Sequence, residues 1–216
     1  MGQLDLLRII KFLPGIILGL TVHEFSHAYV AGLCGDKTSE EQGRLTLNPL
    51  KHIDLLGFIM LMFVGFGWAK PVQFNENNLR NPKTDVIKIA LAGPVSNALL
   101  AIILSFLYIF FLKYTTSPYN STMQIVKEMF EYGIYINWGL FIFNLIPFPP
   151  LDGSHLLLNY FKKYPALYEG FYKYGSWIFF GLILVMLITK IDILPIWPAV
   201  QFLGNHVLSF FSSVIG

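Results

Sequence analysis

The chain has 216 residues, 55% hydrophobic, 16% aromatic and only 13% charged, with a formal net charge of +2. A soluble domain carries about 25% charged residues, so this composition and a mean hydropathy of +0.58 point to a bilayer. One cysteine, Cys34, excludes an internal disulfide scaffold, and the small, scattered charge gives no footprint for nucleic acid.

A membrane helix needs about 20 apolar residues. Residues 12–35 form such a run, with Glu24 as the one formal charge. The run is too long and too polar at its centre for a cleaved signal peptide, so it is expected to remain in the protein. Its centre reads His23-Glu24-Phe25-Ser26-His27. Spacing of i and i+4 places both imidazoles on one helix face, where they can share a cation, with Glu24 beside them to take a proton from water. Ionisable groups at mid-span are expensive, at about 2.5–3.5 kcal/mol for a single central charge. A purely structural helix would use apolar residues there. A catalytic zinc site takes three protein ligands and keeps an open position, so a third ligand is expected. Gly15 and Gly19 form a GxxxG face suited to helix packing.

The run 55–69 is short for a span and holds Gly57, Gly65 and Gly67. The following KPVQFNENNLRNP, broken by Pro71 and Pro82, reads as a strand or turn. A membrane-associated β-hairpin or re-entrant segment is therefore expected near 55–85. Lys37, Arg44 and Lys51 precede this stretch, and Lys70, Arg80, Lys83 and Lys88 follow it. Both flanks are thus expected on the cytoplasmic side. Residues 89–112 form the next full span, opening with Gly93-Pro94, a pair suited to close helix approach.

Residues 132–151 make a further apolar span that ends in NLIPFPPLDGSHLL (144–157). Pro147, Pro149 and Pro150 cannot continue a helix, so the chain must open there. Open backbone at membrane depth needs burial in protein or a watery cavity. Asp152 is the candidate third ligand, its alternative role being a helix N-cap. His155 is a rival ligand, or a partner that steadies one. The runs 174–189 and 193–216 complete the chain. Trp68, Trp138, Trp177 and Trp197 are candidate interfacial anchors, His52 is a surface residue or proton relay, and Cys34 is a small buried hydrophobe.

Together, HEFSH and the distant NLIPFPPLDG resemble the site-2 protease family of intramembrane zinc metalloproteases, peptidase M50. GRLTLNPLKHID (43–54), GWAKPVQFNENNLRNPKTD (67–85) and LAGPVSN (91–97) resemble its small bacterial members, which lack a PDZ domain. The resemblance runs from about residue 12 to 160. It implies one zinc ion held by His23, His27 and Asp152, with Glu24 as general base. It also implies that Asn144 approaches the active site to steady substrate or oxyanion, with Asn97 as a weaker candidate for the same work.

The expected fold is an all-α polytopic membrane protein of about five to six transmembrane helices. It forms one membrane-embedded domain over 1–216, with its core at 12–160 and C-terminal helices at 174–216. The expected activity is hydrolysis of peptide bonds in or near transmembrane segments of other proteins, in a bacterial plasma membrane. Partners would be those substrates, the lipid bilayer and a regulatory membrane protein. The alternative is a non-catalytic metal-binding scaffold or transporter, which would not need Glu24 as a base.

Overall fold

The computed structural model describes residues 6–64, 67–115, 121–190 and 194–215. These form eight α-helices: α1 (Leu6–Leu33), α2 (Thr38–Glu41), α3 (Leu55–Val64), α4 (Pro82–Tyr114), α5 (Ser121–Asn144), α6 (Ser154–Phe161), α7 (Pro165–Thr189) and α8 (Ile196–Ile215). The architecture is all-helical. Among the described residues two helices, α1 and α4, are long and apolar enough to cross a bilayer. The first half of α5 is interrupted by Lys127, Glu128 and Glu131, and α8 is uncharged but holds Gln201, Asn205 and His206.

Helices α1, α4 and α5 pack against one another pairwise, and α8 lies against α4 and α5. Small residues set the α1–α5 distance. A Cβ on Gly15 would sit 2.7 Å from the Gly133 Cα, and one on Gly19 would sit 2.7 Å from Asn137 Oδ1. Close backbone approach of this kind is how helices associate where lipid removes the hydrophobic drive. Beside it, Ala101, Ile134, Trp138 and Val200 are buried together between α4, α5 and α8. Trp138, expected at the interface, is therefore a core residue, only 5% exposed. Trp68, Trp177 and Trp197 are exposed. Helix α7 reaches the rest through α6 and through Phe179, whose ring meets that of Phe143 edge-on.

The expected hairpin near 55–85 takes another form. Residues 55–64 are helical as α3, and the following run is extended with a single antiparallel bridge between Ile53 and Ala69; Gly65 lies outside the described residues. No strand ladder occurs among the described residues because partners other than strands take the backbone groups. Lys70 N donates to His52 O at 2.7 Å, Ser39 Oγ donates to Gln73 O at 2.6 Å, and Asn75 N donates to Asp36 Oδ2 at 2.8 Å.

Asp36 organises that corner. Gly35, at φ +109°, takes the left-handed turn that ends α1. The Asp36 carboxylate is then buried, accepting from Thr38 N and Oγ1, Asn75 N and Asn78 Nδ2. Burial acts to raise its pKa, but the hydrogen bonds from Thr38, Asn78 and Asn75 outweigh it and hold the group below the ordinary carboxylate value. Cys34 packs nearby with Ala31, Leu79, Val86 and Ile89, as a small hydrophobe. His52 is fully buried, its Nε2 donating to Thr46 O at 2.7 Å, and so it is not a surface residue.

Candidate metal centre

His23 and His27 sit one turn apart on α1, both buried. Each ring is held from behind by a hydrogen bond that fixes its tautomer. His27 Nδ1 lies 2.7 Å from Ile89 O, a carbonyl that can only accept, so Nδ1 carries the proton. His23 Nδ1 lies 2.6 Å from Asn97 Oδ1. The orientation of that amide is fixed in turn, because Asn97 Nδ2 meets the Gly19 carbonyl at 3.0 Å and Asn137 Oδ1 at 2.9 Å. Asn137 Nδ2 donates to Gly133 O at 2.8 Å. The chain of donors therefore runs one way, from His23 to Asn97 to Asn137 to the backbone of α5.

The consequence lies on the other side of the rings. Both Nε2 atoms present lone pairs, 3.0 Å apart, and Asp152 Oδ2 lies 3.0 Å from His23 Nε2 and 3.4 Å from His27 Nε2. Asp152 Oδ2 is buried and without a hydrogen-bond partner. Three electron-rich atoms within 4.8 Å of one another repel unless a positive charge sits among them. Two neutral imidazoles and one carboxylate are a donor set zinc accepts, with rings oriented from behind by oxygen atoms as metal-binding histidines usually are. The residues present thus fit a zinc ion.

Asp152 reaches the site because α5 stops at Asn144 and α6 restarts at Ser154. Gly153 N donates to Asn144 O at 2.7 Å, which ties the turn back to α5. A Cβ on Gly153 would lie 2.4 Å from Leu145 O, so only glycine permits this turn. The alternative of Asp152 as a helix cap is not realised, since the α6 N-cap is Gly153 and has no side-chain cap bond. Gly93 of α4 lies against the metal-facing atoms: a Cβ there would be 2.4 Å from His27 Nε2 and 2.6 Å from His23 Nε2.

Glu24, also buried, accepts a 2.8 Å hydrogen bond at Oε2 from Val72 N in the extended segment. It lines a cavity of about 140 Å³ with His27, Val72, Phe74, Asp152 and His155. His155 therefore stands beside the site without joining the three converging atoms, its ring 6.0 Å from that of Phe74.

Asn97 and Asn144 were also expected at the site. Asn97 is completely buried and its amide bonds His23, Gly19 and Asn137, which orients the His23 ring. Asn144 donates its amide nitrogen to Leu140 O of its own helix at 3.0 Å, and its backbone carbonyl accepts from Gly153 N beside Asp152. Sequence reasoning missed Asn137 and Asp36. An Asn within an apolar span was the available signal for the first.

Residues 11–188 match the family described as Peptidase family M50. YwhC of Bacillus subtilis is 36% identical over 200 residues, 92% of this chain and 90% of its own length. Rip2 of Mycolicibacterium smegmatis is 28% identical over 185 residues, 83% of this chain and 67% of its own. MJ0611 of Methanocaldococcus jannaschii is 30% identical over 140 residues, 64% of each chain. All three bear provisional zinc metalloprotease names. No solved structure matches the chain at a significant level. With the family match running through the helix that carries the histidine pair and the turn that carries Asp152, the chain belongs to peptidase family M50 and is a zinc metalloprotease.

Proposed function

We propose that this protein is an intramembrane endopeptidase that cleaves peptide bonds in or beside the transmembrane segments of other membrane proteins. In this reading His23, His27 and Asp152 hold one zinc ion and Glu24 is the general base. The observation that carries it is the convergence of His23 Nε2, His27 Nε2 and Asp152 Oδ2 beside Glu24, on a helix apolar enough to cross a bilayer. When bound, zinc supplies a Lewis acid that polarises the scissile carbonyl and eases deprotonation of water.

The protein's own groups do the rest. Asn97 and Ile89 O keep both imidazoles as Nδ1–H tautomers, so that Nε2 is the free electron pair of each. Val72 N–H holds Glu24 Oε2, leaving Oε1 to take a proton from the attacking water and later return it to the leaving amine. The surrounding apolar helices limit water to the cavity. The chain is a single membrane-embedded catalytic unit, with its helices making five to six crossings of a bacterial plasma membrane.

A helical substrate must unwind before its carbonyls can be attacked. The extended run from Ala69 to Asn75 borders the cavity through Pro71, Val72 and Phe74. Lys70, Val72 N, Gln73 O and Asn75 N are held by the chain itself, and the backbone groups between them are where an unwound substrate can add as a strand. Gln73→Pro removes one N–H from that edge and is expected to slow cleavage with zinc retained; normal turnover would dismiss strand addition.

The test of function is a cleavage assay against a panel of tagged single-span proteins and remnant signal peptides, with metal content measured on the same samples. Glu24→Gln should keep zinc and cut nothing, whereas His23→Ala should lose both. A scaffold or transporter would keep its activity after Glu24→Gln.

A further inference from the structure

The segment GRLTLNPLKHID takes no part in the chemistry above, yet it holds a buried cation bonded to the segment that binds the base. Arg44 is 5% exposed. Its Nη1 donates to Lys51 O at 2.5 Å, and its Nη2 donates to Lys70 O. Those carbonyls belong to two different segments, the turn Pro49–Lys51 and the extended run after α3. The planar fork of a guanidinium can span both, which a single ammonium cannot. The same two segments are joined a second time, by Lys70 N to His52 O, and buried His52 is itself tied to Thr46 O.

What the clasp holds is the route to Glu24. Lys70 is followed by Pro71, whose ring fixes φ near −65°, and then by Val72, whose N–H is the donor to Glu24 Oε2. A three-residue link, with one φ fixed by its proline, thus runs from the guanidinium to the carboxylate. Among the described residues no carboxylate hydrogen-bonds Arg44; burial lowers its pKa and the charge of Glu24 acts to raise it.

We infer that Arg44 is a positioning residue for Glu24: by clasping the Lys51 and Lys70 carbonyls it sets the Val72 N–H against the base and fixes which carboxylate oxygen is free to move a proton. This rests on the proposed role of Glu24.

The test uses the purified, zinc-loaded full chain as wild type, Arg44→Ala, Arg44→Lys and Glu24→Gln. Zinc content, amide hydrogen exchange and turnover of one single-span substrate at saturation are read on each. Arg44→Ala should keep one zinc per chain, speed exchange at Lys70 and Val72 by about tenfold or more, and lower kcat by about 100-fold, the scale expected when a reacting group is misplaced by about 1 Å. Arg44→Lys, which keeps charge and most packing, should recover part of this and remain about tenfold slow; it keeps the inference testable if the alanine variant does not fold. Unchanged exchange at 70–72, unchanged kcat, or a loss that merely follows lost zinc-loaded protein would each overturn the positioning role. Glu24→Gln separates the two ideas. If it cleaves normally, the proposed function falls and this inference with it; if it is dead while Arg44→Ala is fully active, only the role of Arg44 falls.

Discussion

Gly93→Ala adds a single methyl group against the metal-facing side of the histidine pair, and the structure sets the size of the effect. The new Cβ would lie 2.4 Å from His27 Nε2 and 2.6 Å from both Cε1 and Nε2 of His23, whereas ordinary contact begins at 3.4 Å. The rings or α4 must therefore give by about 1 Å, against a tolerance of about 0.2 Å for metal–ligand distances. The rings are held from behind by Asn97 and Ile89 O, so they have little room to retreat. Alanine is the better helix former by about 0.8–1 kcal/mol, which offsets much of the overpacking cost of about 1–3 kcal/mol. Helix α4 should remain folded while zinc affinity falls by about 100-fold, or about 2.8 kcal/mol at 1.4 kcal/mol per tenfold. The assay is competition with a chelator of known affinity, with Gly32→Ala as control, since nothing lies within 4 Å of a Cβ there. Wild-type zinc affinity in Gly93→Ala would refute the assignment of these two ring atoms to the metal.

Asn97→Ala removes the acceptor behind His23, and losses of this kind cost about 10–100-fold in metal affinity; chelator competition should show it, with the helices intact by circular dichroism. Asp36 gives a pH signature: its pKa is lowered on folding, so its contribution is full above the unfolded value of about 3.9 and is lost as pH falls through the lower folded value. Amide protection at Asn75, relative to the unfolded chain at the same pH, should therefore hold down to about pH 4 and fall below it, and Asp36→Asn should abolish that pH dependence.

The sequence carried the helical class and the histidine pair because both are local. HEFSH fixes its own geometry through the helix period, and long uncharged runs announce helices without reference to the rest of the chain. Asp152 was legible only indirectly, through three prolines that force the backbone open beside an aspartate. The remainder depends on contacts across the fold. Asn97 and His23 are 74 residues apart, and nothing in LAGPVSN distinguishes an amide that steers a ring from one that touches substrate. The hairpin expected at 55–85 became a helix and a pinned extended run because its hydrogen-bond partners are Asp36, Ser39, Arg44 and His52, residues with no periodic signature. Trp138 reads as an interfacial residue because its type is common there, whereas α4 and α8 bury it with Ala101 and Val200.

The most direct measurement is zinc K-edge X-ray absorption on the purified protein. The account predicts one zinc per chain, two imidazole nitrogens at about 2.0–2.1 Å and the remaining donors oxygen, with the Asp152→Ala protein losing an oxygen donor or the metal itself. Sulfur from Cys34 in the coordination shell, a shell without histidine, or no stoichiometric zinc would contradict it.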